Sequence, residues 1–212
     1  IGLLVVTALL ADVLAPYSPI QSVSGMRGVG PSWSHPLGFD HIGRDILSRI
    51  IFGTRIALIV GLGATGIAVT IGVLVGATAG YFGGWVDNLL SRAVDTLMAF
   101  PTLVLLIALT AVVGPSLRTV VIVIGATVWA QYARVVRADT LSLRERDFTL
   151  AARVAGATNT RIILRHLVPN VLGPVIVLAS LAVGGIIIYE STLSFLGLGI
   201  QPPEPSWGGM LA

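Results

Sequence analysis

The sequence contains no cysteine, and none of its 13 basic side chains is a lysine. The first absence excludes a disulfide framework and any thiolate metal site, and it leaves the redox compartment unmarked. The second excludes a Walker loop, whose lysine must reach the nucleotide phosphates. Any ATP that drives this chain is therefore hydrolysed on another polypeptide. Charge is also scarce: Asp, Glu and Arg supply 11% of the 212 residues, against 55% apolar residues. With a mean hydropathy of +0.92, the composition is that of a chain dissolved in a lipid bilayer. There is no Gly-x-Ser-x-Gly elbow, and no pair of intramembrane carboxylates can be placed on one face, so hydrolytic chemistry finds no footing. The net charge of +3 says little; where the arginines lie says more.

Crossing about 30 Å of hydrocarbon takes about 20 mostly apolar residues. Residues 56–79 carry no charge and qualify, as do residues 96–117, where Pro101 and Gly114-Pro115 should bend or end the helix. Residues 119–133 are short but can span if Arg118 and Arg134 snorkel to the interfaces. Residues 167–189 make a fourth span ending at Glu190. Residues 1–15 are too short to span upright and lack a basic leader, so they read as part of a truncated first span. Seven arginines (134, 137, 144, 146, 153, 161 and 165) fall between the third and fourth full spans. By the positive-inside bias that connection is cytoplasmic. Residues 16–55 and 191–212 then lie outside, although Arg27, Arg44, Arg49 and Arg55 make the bias imperfect.

Within the arginine-rich connection, residues 147–170 read as a short helix, a break, a second helix and a new span. Asp147 or Thr149 is expected to cap the first helix, Gly156 to end it in the left-handed conformation, and Thr158 or Asn159 to cap the second. Pro169 sits where a helix start tolerates proline. Ala151, Ala152 and Ala155 would let another surface approach the backbone closely. Elsewhere, Ala64, Ala68, Gly72, Gly76 and Gly80 recur every four residues, which suits close helix packing. A lining of the translocation path, or a gate at Gly72 and Gly76, is the second reading of that stripe.

The run Ala151-Ala152-Arg153, Gly156-Ala157, Arg165-His166 and Pro169-Asn170 resembles the coupling loop of bacterial ATP-binding-cassette importer permeases, which implies coupling residues at Leu150, Ala151, Ala152, Arg153, Ala155, Gly156, Ala157, Arg165, His166 and Pro169. The resemblance is closest to the dipeptide, oligopeptide and nickel permeases, second permease-subunit type. Leu150 stands where the general pattern has glutamate. Three further stretches resemble the same family in the same order: His35–Asp45 with Ser48-Arg49, Gly80–Asp87, and Ser194–Gly199 with Pro203 and Pro205–Gly208. The resemblance implies an all-α polytopic bundle of the type I importer permease kind, with about five spans present of an expected six. Its core would be residues 56–190, with the cytoplasmic coupling loop at 138–167 and a last span missing after 212. It implies no catalytic site and no cofactor in this chain, since ATP and Mg belong to two partner ATPases. A homologous second permease and an extracytoplasmic substrate-binding protein complete the implied set, in the cell membrane. The implied cargo is a dipeptide or oligopeptide, with nickel as the alternative.

A basic helix-glycine-helix also fits a DNA-binding motif, but its short helices are tethered at both ends to spans, which disfavours entry into a groove. A basic loop resting on anionic headgroups is the other alternative. His35, Asp40, His41 and Asp45 are suitable metal-ligand types, but their spacing fits a structured external loop better. Glu190 is a functional suspect as an acid at a span's end, with hydrated capping or pairing beside Ser191 and Thr192 as the plainer role. A self-sufficient channel or ion-coupled carrier needs embedded ionisable groups, which the spans between residues 56 and 133 lack within their flanking charges. A purely structural assembly subunit is the third class.

Overall fold

A computed structural model describes residues 2–212. Among them every named element is helical, in the order α1 (Gly2–Leu9), α2 (Ala11–Leu14), α3 (Ile46–Phe82), α4 (Gly84–Ala99), α5 (Thr102–Val113), α6 (Leu117–Leu143), α7 (Asp147–Val154), α8 (Asn159–Ile162) and α9 (Val168–Phe195). A π turn over Ile163–Leu167 joins α8 to α9, so one helical path runs from Asn159 to Phe195. Three paths are long and apolar enough to cross a membrane: Ile46–Phe82, Leu117–Leu143 and Asn159–Phe195. The predicted runs 56–79, 119–133 and 167–189 lie inside them. The run 96–117 is different. α4 and α5 meet at an 89° bend, so a fourth span exists only if the bent pair counts as one. The break falls at Phe100-Pro101, where proline pushes the preceding residue out of the helical region, and Phe100 is extended (φ −88°, ψ 138°).

The helices run past their apolar cores because their polar ends find partners. The chain divides into two compact units, one holding the chain up to Gly63 with Ile107–Val121 and Ile186–Ala212, the other holding Ala64–Leu106 and Ile122–Gly185. In the first unit, Asp45 starts α3. Its carboxylate accepts from the Ser48 amide at 2.8 Å, the bond expected of an N-cap. Trp207 lies against Gly53, where an added Cβ would come within 2.7 Å of the indole, and its ring nitrogen donates to the Ile50 carbonyl at 3.0 Å. Arg55 ties α3 to the N-terminal helices, donating to Asp12 and to the Ala8 carbonyl, each at 2.7 Å.

In the second unit the small-residue stripe of α3 faces α6. A Cβ on Gly72 would lie 2.5 Å from Tyr132 Cβ; one on Gly76 would lie 2.5 Å from the Ala133 carbonyl; one on Gly80 would lie 2.7 Å from Thr140 Cβ. Three successive glycines are thus needed for the backbones to approach this closely. Val94 of α4 packs with Ala130 and Ala133 of α6, flanked by Val75, Leu97 and Trp129. Two ion pairs hold the same helices together: Asp87–Arg137, and Asp95–Arg134 at 2.7 Å.

Candidate functional site

The 147–170 segment is a helical hairpin, and its sequence dictates its turns. α7 ends in a Schellman arrangement: Gly156 takes φ +78°, its amide donates to the Arg153 carbonyl, and the Ala157 amide donates to the Ala152 carbonyl, each at 3.0 Å. Thr158 caps α8, accepting from the Arg161 amide at 3.4 Å. The expected cap of α7 is not formed. Arg146 occupies that position without a side-chain bond, while Thr149 is buried and donates back to the Leu143 carbonyl at 2.9 Å. Thr149 turns inward where the polypeptide folds between α6 and α7, and its hydroxyl is a second donor to a carbonyl that also accepts from the Arg146 amide at 3.2 Å. Pro169 is also not at a free helix start. It is the second residue of α9, directly after the π turn. Its ring would crowd the carbonyl of Arg165, and the widened turn makes room for it. Asn170 supports the turn, its side-chain amide donating to the His166 carbonyl at 2.6 Å.

One face of α7 is apolar and open. Val154 is 89% exposed, Leu150 42% and Phe148 40%, and Ala151, Ala155 and Gly156 are exposed beside them. Ala152 and Ala157 are half-buried, Arg165 and Pro169 exposed, and His166 half-buried. The predicted coupling residues therefore share one hairpin, most of them at its surface. Arg153 departs from the rest by turning over the Tyr81 ring, 5.6 Å from its centroid. Tyr81, at the end of α3, also donates its hydroxyl proton to Asn159 at 2.8 Å, and Arg144 donates to the Gly80 carbonyl at 3.1 Å. The residue pattern places Asn159 and Arg144 in the connection but does not link them to Tyr81 and Gly80, which reach them from α3. The signal lay in the Gly80–Asp87 motif, which was matched without a role.

The other candidates lie apart from the hairpin. Gly72 and Gly76 sit in the α3–α6 contact described above. Glu190 is 1% exposed, accepting from Ser194 at 2.6 Å and Ser191 at 3.3 Å; Ser194 in turn accepts from the Ile200 amide at 3.0 Å. The 16–55 loop uses its acids internally. Asp40 accepts from Arg44 through the amide and the guanidinium, at 2.9 and 2.7 Å, and Asp45 meets His35 at 2.8 Å. His35 stacks between Tyr17 and Phe39, each 4.2 Å away. Burial pushes the Asp45 carboxyl up, but the bonds from His35 and Ser48 outweigh it and leave the group below its ordinary range. No group of three or more His, Asp or Glu suited to a metal ion occurs among the described residues.

Several apolar helices and an exposed helical hairpin fit a multi-pass membrane protein, and the family match says of which kind. Residues 68–212 match the family described as binding-protein-dependent transport system inner membrane component, and the chain belongs to that family. It is 42% identical to the dipeptide transport system permease protein of Alkalihalophilus pseudofirmus, over 100% of this chain and 71% of that protein. It is 41% identical to the oligopeptide transport system permease protein of Haemophilus influenzae, over 100% of this chain and 69% of that protein. It is 39% identical to the nickel transport system permease protein of Escherichia coli, over 100% of this chain and 76% of that protein. The chain is thus an all-α, multi-pass membrane permease and a non-catalytic component of a transport system.

Proposed function

We propose that this chain is one of two permease subunits of an ATP-driven importer, levered through the 147–169 hairpin by cytoplasmic ATPases. The observation that carries the reading is the open apolar face of α7, Phe148, Leu150 and Val154, on a hairpin whose turn is closed by the Gly156 and Ala157 amides. Such a face is costly in water and suits a groove on a partner. The arginine bias supports a cytoplasmic position for it. Ala151, Ala152, Ala155 and Gly156 would admit the wall of that groove close to the backbone. ATP binding would close two such ATPases, carry the hairpins with them, and switch the attached spans between inward-open and outward-open packings. A homologous second permease would complete the path, and an extracytoplasmic binding protein would deliver the cargo.

Dipeptides or oligopeptides are the cargo that the dipeptide and oligopeptide relatives support. Nickel is the second reading, favoured by the similar identity to the nickel permease. The absence of cysteine makes a direct test clean. Val154→Cys in the assembled complex should crosslink to the ATPase subunit through a cysteine in its groove; no crosslink at any groove position would refute the docking. Uptake by proteoliposomes of a labelled dipeptide, a labelled pentapeptide or nickel-63 would then separate the cargoes.

A further inference from the structure

The hairpin is not held by its own turns alone. A polar anchor on α3 is Tyr81, 6% exposed, in that helix's last turn. The hydroxyl donates to Asn159, the first residue of α8, at 2.8 Å, while the ring lies under Arg153, in the last turn of α7, at 5.6 Å. One side chain therefore holds both arms of the hairpin. The residue before it fastens the same turn to α6: the Gly80 carbonyl accepts from Arg144 at 3.1 Å, and the missing Cβ of Gly80 is what allows Thr140 to approach. A buried tyrosine hydroxyl bound to an amide oxygen is a directional contact, and an arginine over an aromatic face adds a second.

We infer that Tyr81 is a positioning residue for transport, a clamp through which displacement of the hairpin is passed to α3 as well as to α6 and α9, the helices joined to it by the backbone. The inference rests on the docking reading given above. Without the clamp, α7 and α8 could swing on the Gly156 turn while α3 stayed behind. With it, the end of α3 and the hairpin move as one body.

The test uses spin labels in the complete complex of both permeases and both ATPases. Labels at Leu74→Cys on α3 and Thr160→Cys on α8 report the separation of helix and hairpin, without and with trapped ATP; both positions are exposed. The clamp predicts the same separation in both states for the otherwise unaltered chain. In Tyr81→Phe, which keeps the ring, and in Asn159→Ala, it predicts a change on ATP binding of up to about 5 Å, one helical turn. Arg153→Gln, at an exposed position, should show the same direction with a smaller change, and it serves if Tyr81→Phe does not assemble. A merely structural role would lower the yield of complex and leave the separation independent of nucleotide, which would overturn the clamp. So would a nucleotide-dependent separation in the unaltered chain. The Val154→Cys crosslink distinguishes the two levels: present with either of those results, it sinks the clamp alone; absent, it sinks the docking and the clamp together.

Discussion

Gly72, Gly76 and Gly80 on α3 and Ala151, Ala152, Ala155 and Gly156 in the hairpin are comparably small, but an added methyl group meets different surroundings in the two places. On α3 it runs into the backbone or Cβ atoms of α6 within 2.5 to 2.7 Å; at Gly156 nothing lies within 4 Å. The α3–α6 contact is completed inside the chain, and its small residues are spent on internal packing. The hairpin's surface is left open, and its glycine serves a backbone angle, φ +78°. A small-residue pattern therefore has no single meaning in a membrane protein; what faces it decides.

The largest test of that contrast is Gly76→Leu. Overpacking a close helix crossing against a carbonyl should cost about 3 kcal/mol or more, and the detergent-purified chain should aggregate or lose its melting transition. Persistence of an unchanged melt would break the internal-packing half of the comparison. Gly156→Val and Ala152→Trp come next. The first should cost about 1–2 kcal/mol of local strain, the order of the left-handed penalty. Both should leave the chain folded by circular dichroism yet abolish ATPase co-purification and ATP-driven uptake.

A smaller effect is expected in the 16–55 loop, also completed internally. The folded Asp45 carboxyl lies below its unfolded value, so its contribution is full above about pH 4. It is lost as pH falls through the folded value. Asp45→Asn should remove that acid sensitivity while keeping a cap, and Asp45→Ala should cost about 1 kcal/mol, both read by hydrogen exchange at the Ser48 amide. The smallest change belongs to Arg134→Ala, because the Asp95 pair is 55% and 66% exposed at its two ends; about 0.5 kcal/mol is expected. Arg137→Ala should cost more, since Asp87 is only 13% exposed. Equal losses for the two would blur the distinction between a packed contact and a solvated one.

Much of the molecule was legible because hydrophobic length and glycine chemistry are local. The apolar runs at 56–79, 119–133 and 167–189 placed three helices, and Gly156 and Thr158 placed the hairpin's turns. What was not legible depended on contacts distant in sequence. The 89° bend between α4 and α5 is an angle, and a proline marks a break without setting its direction. Thr149 was a plausible cap by residue type; its burial and its bond to Leu143 follow from the chain's return. The His35–Asp45 pair and the Tyr81–Asn159 bond, 10 and 78 residues apart, leave no periodic trace. Glu190 was read at a wet boundary, yet the folded tail brings the Ile200 amide onto Ser194 and the carboxylate is enclosed.

The π turn at Ile163–Leu167 carries a geometric debt into α9. Such a turn holds about one residue more than a regular coil, and each residue of an α-helix advances the azimuth by about 100°. Every side chain after Val168 is thereby phased against the hairpin by that surplus. Drawing the loop tight would turn the long helix about its own axis relative to the hairpin.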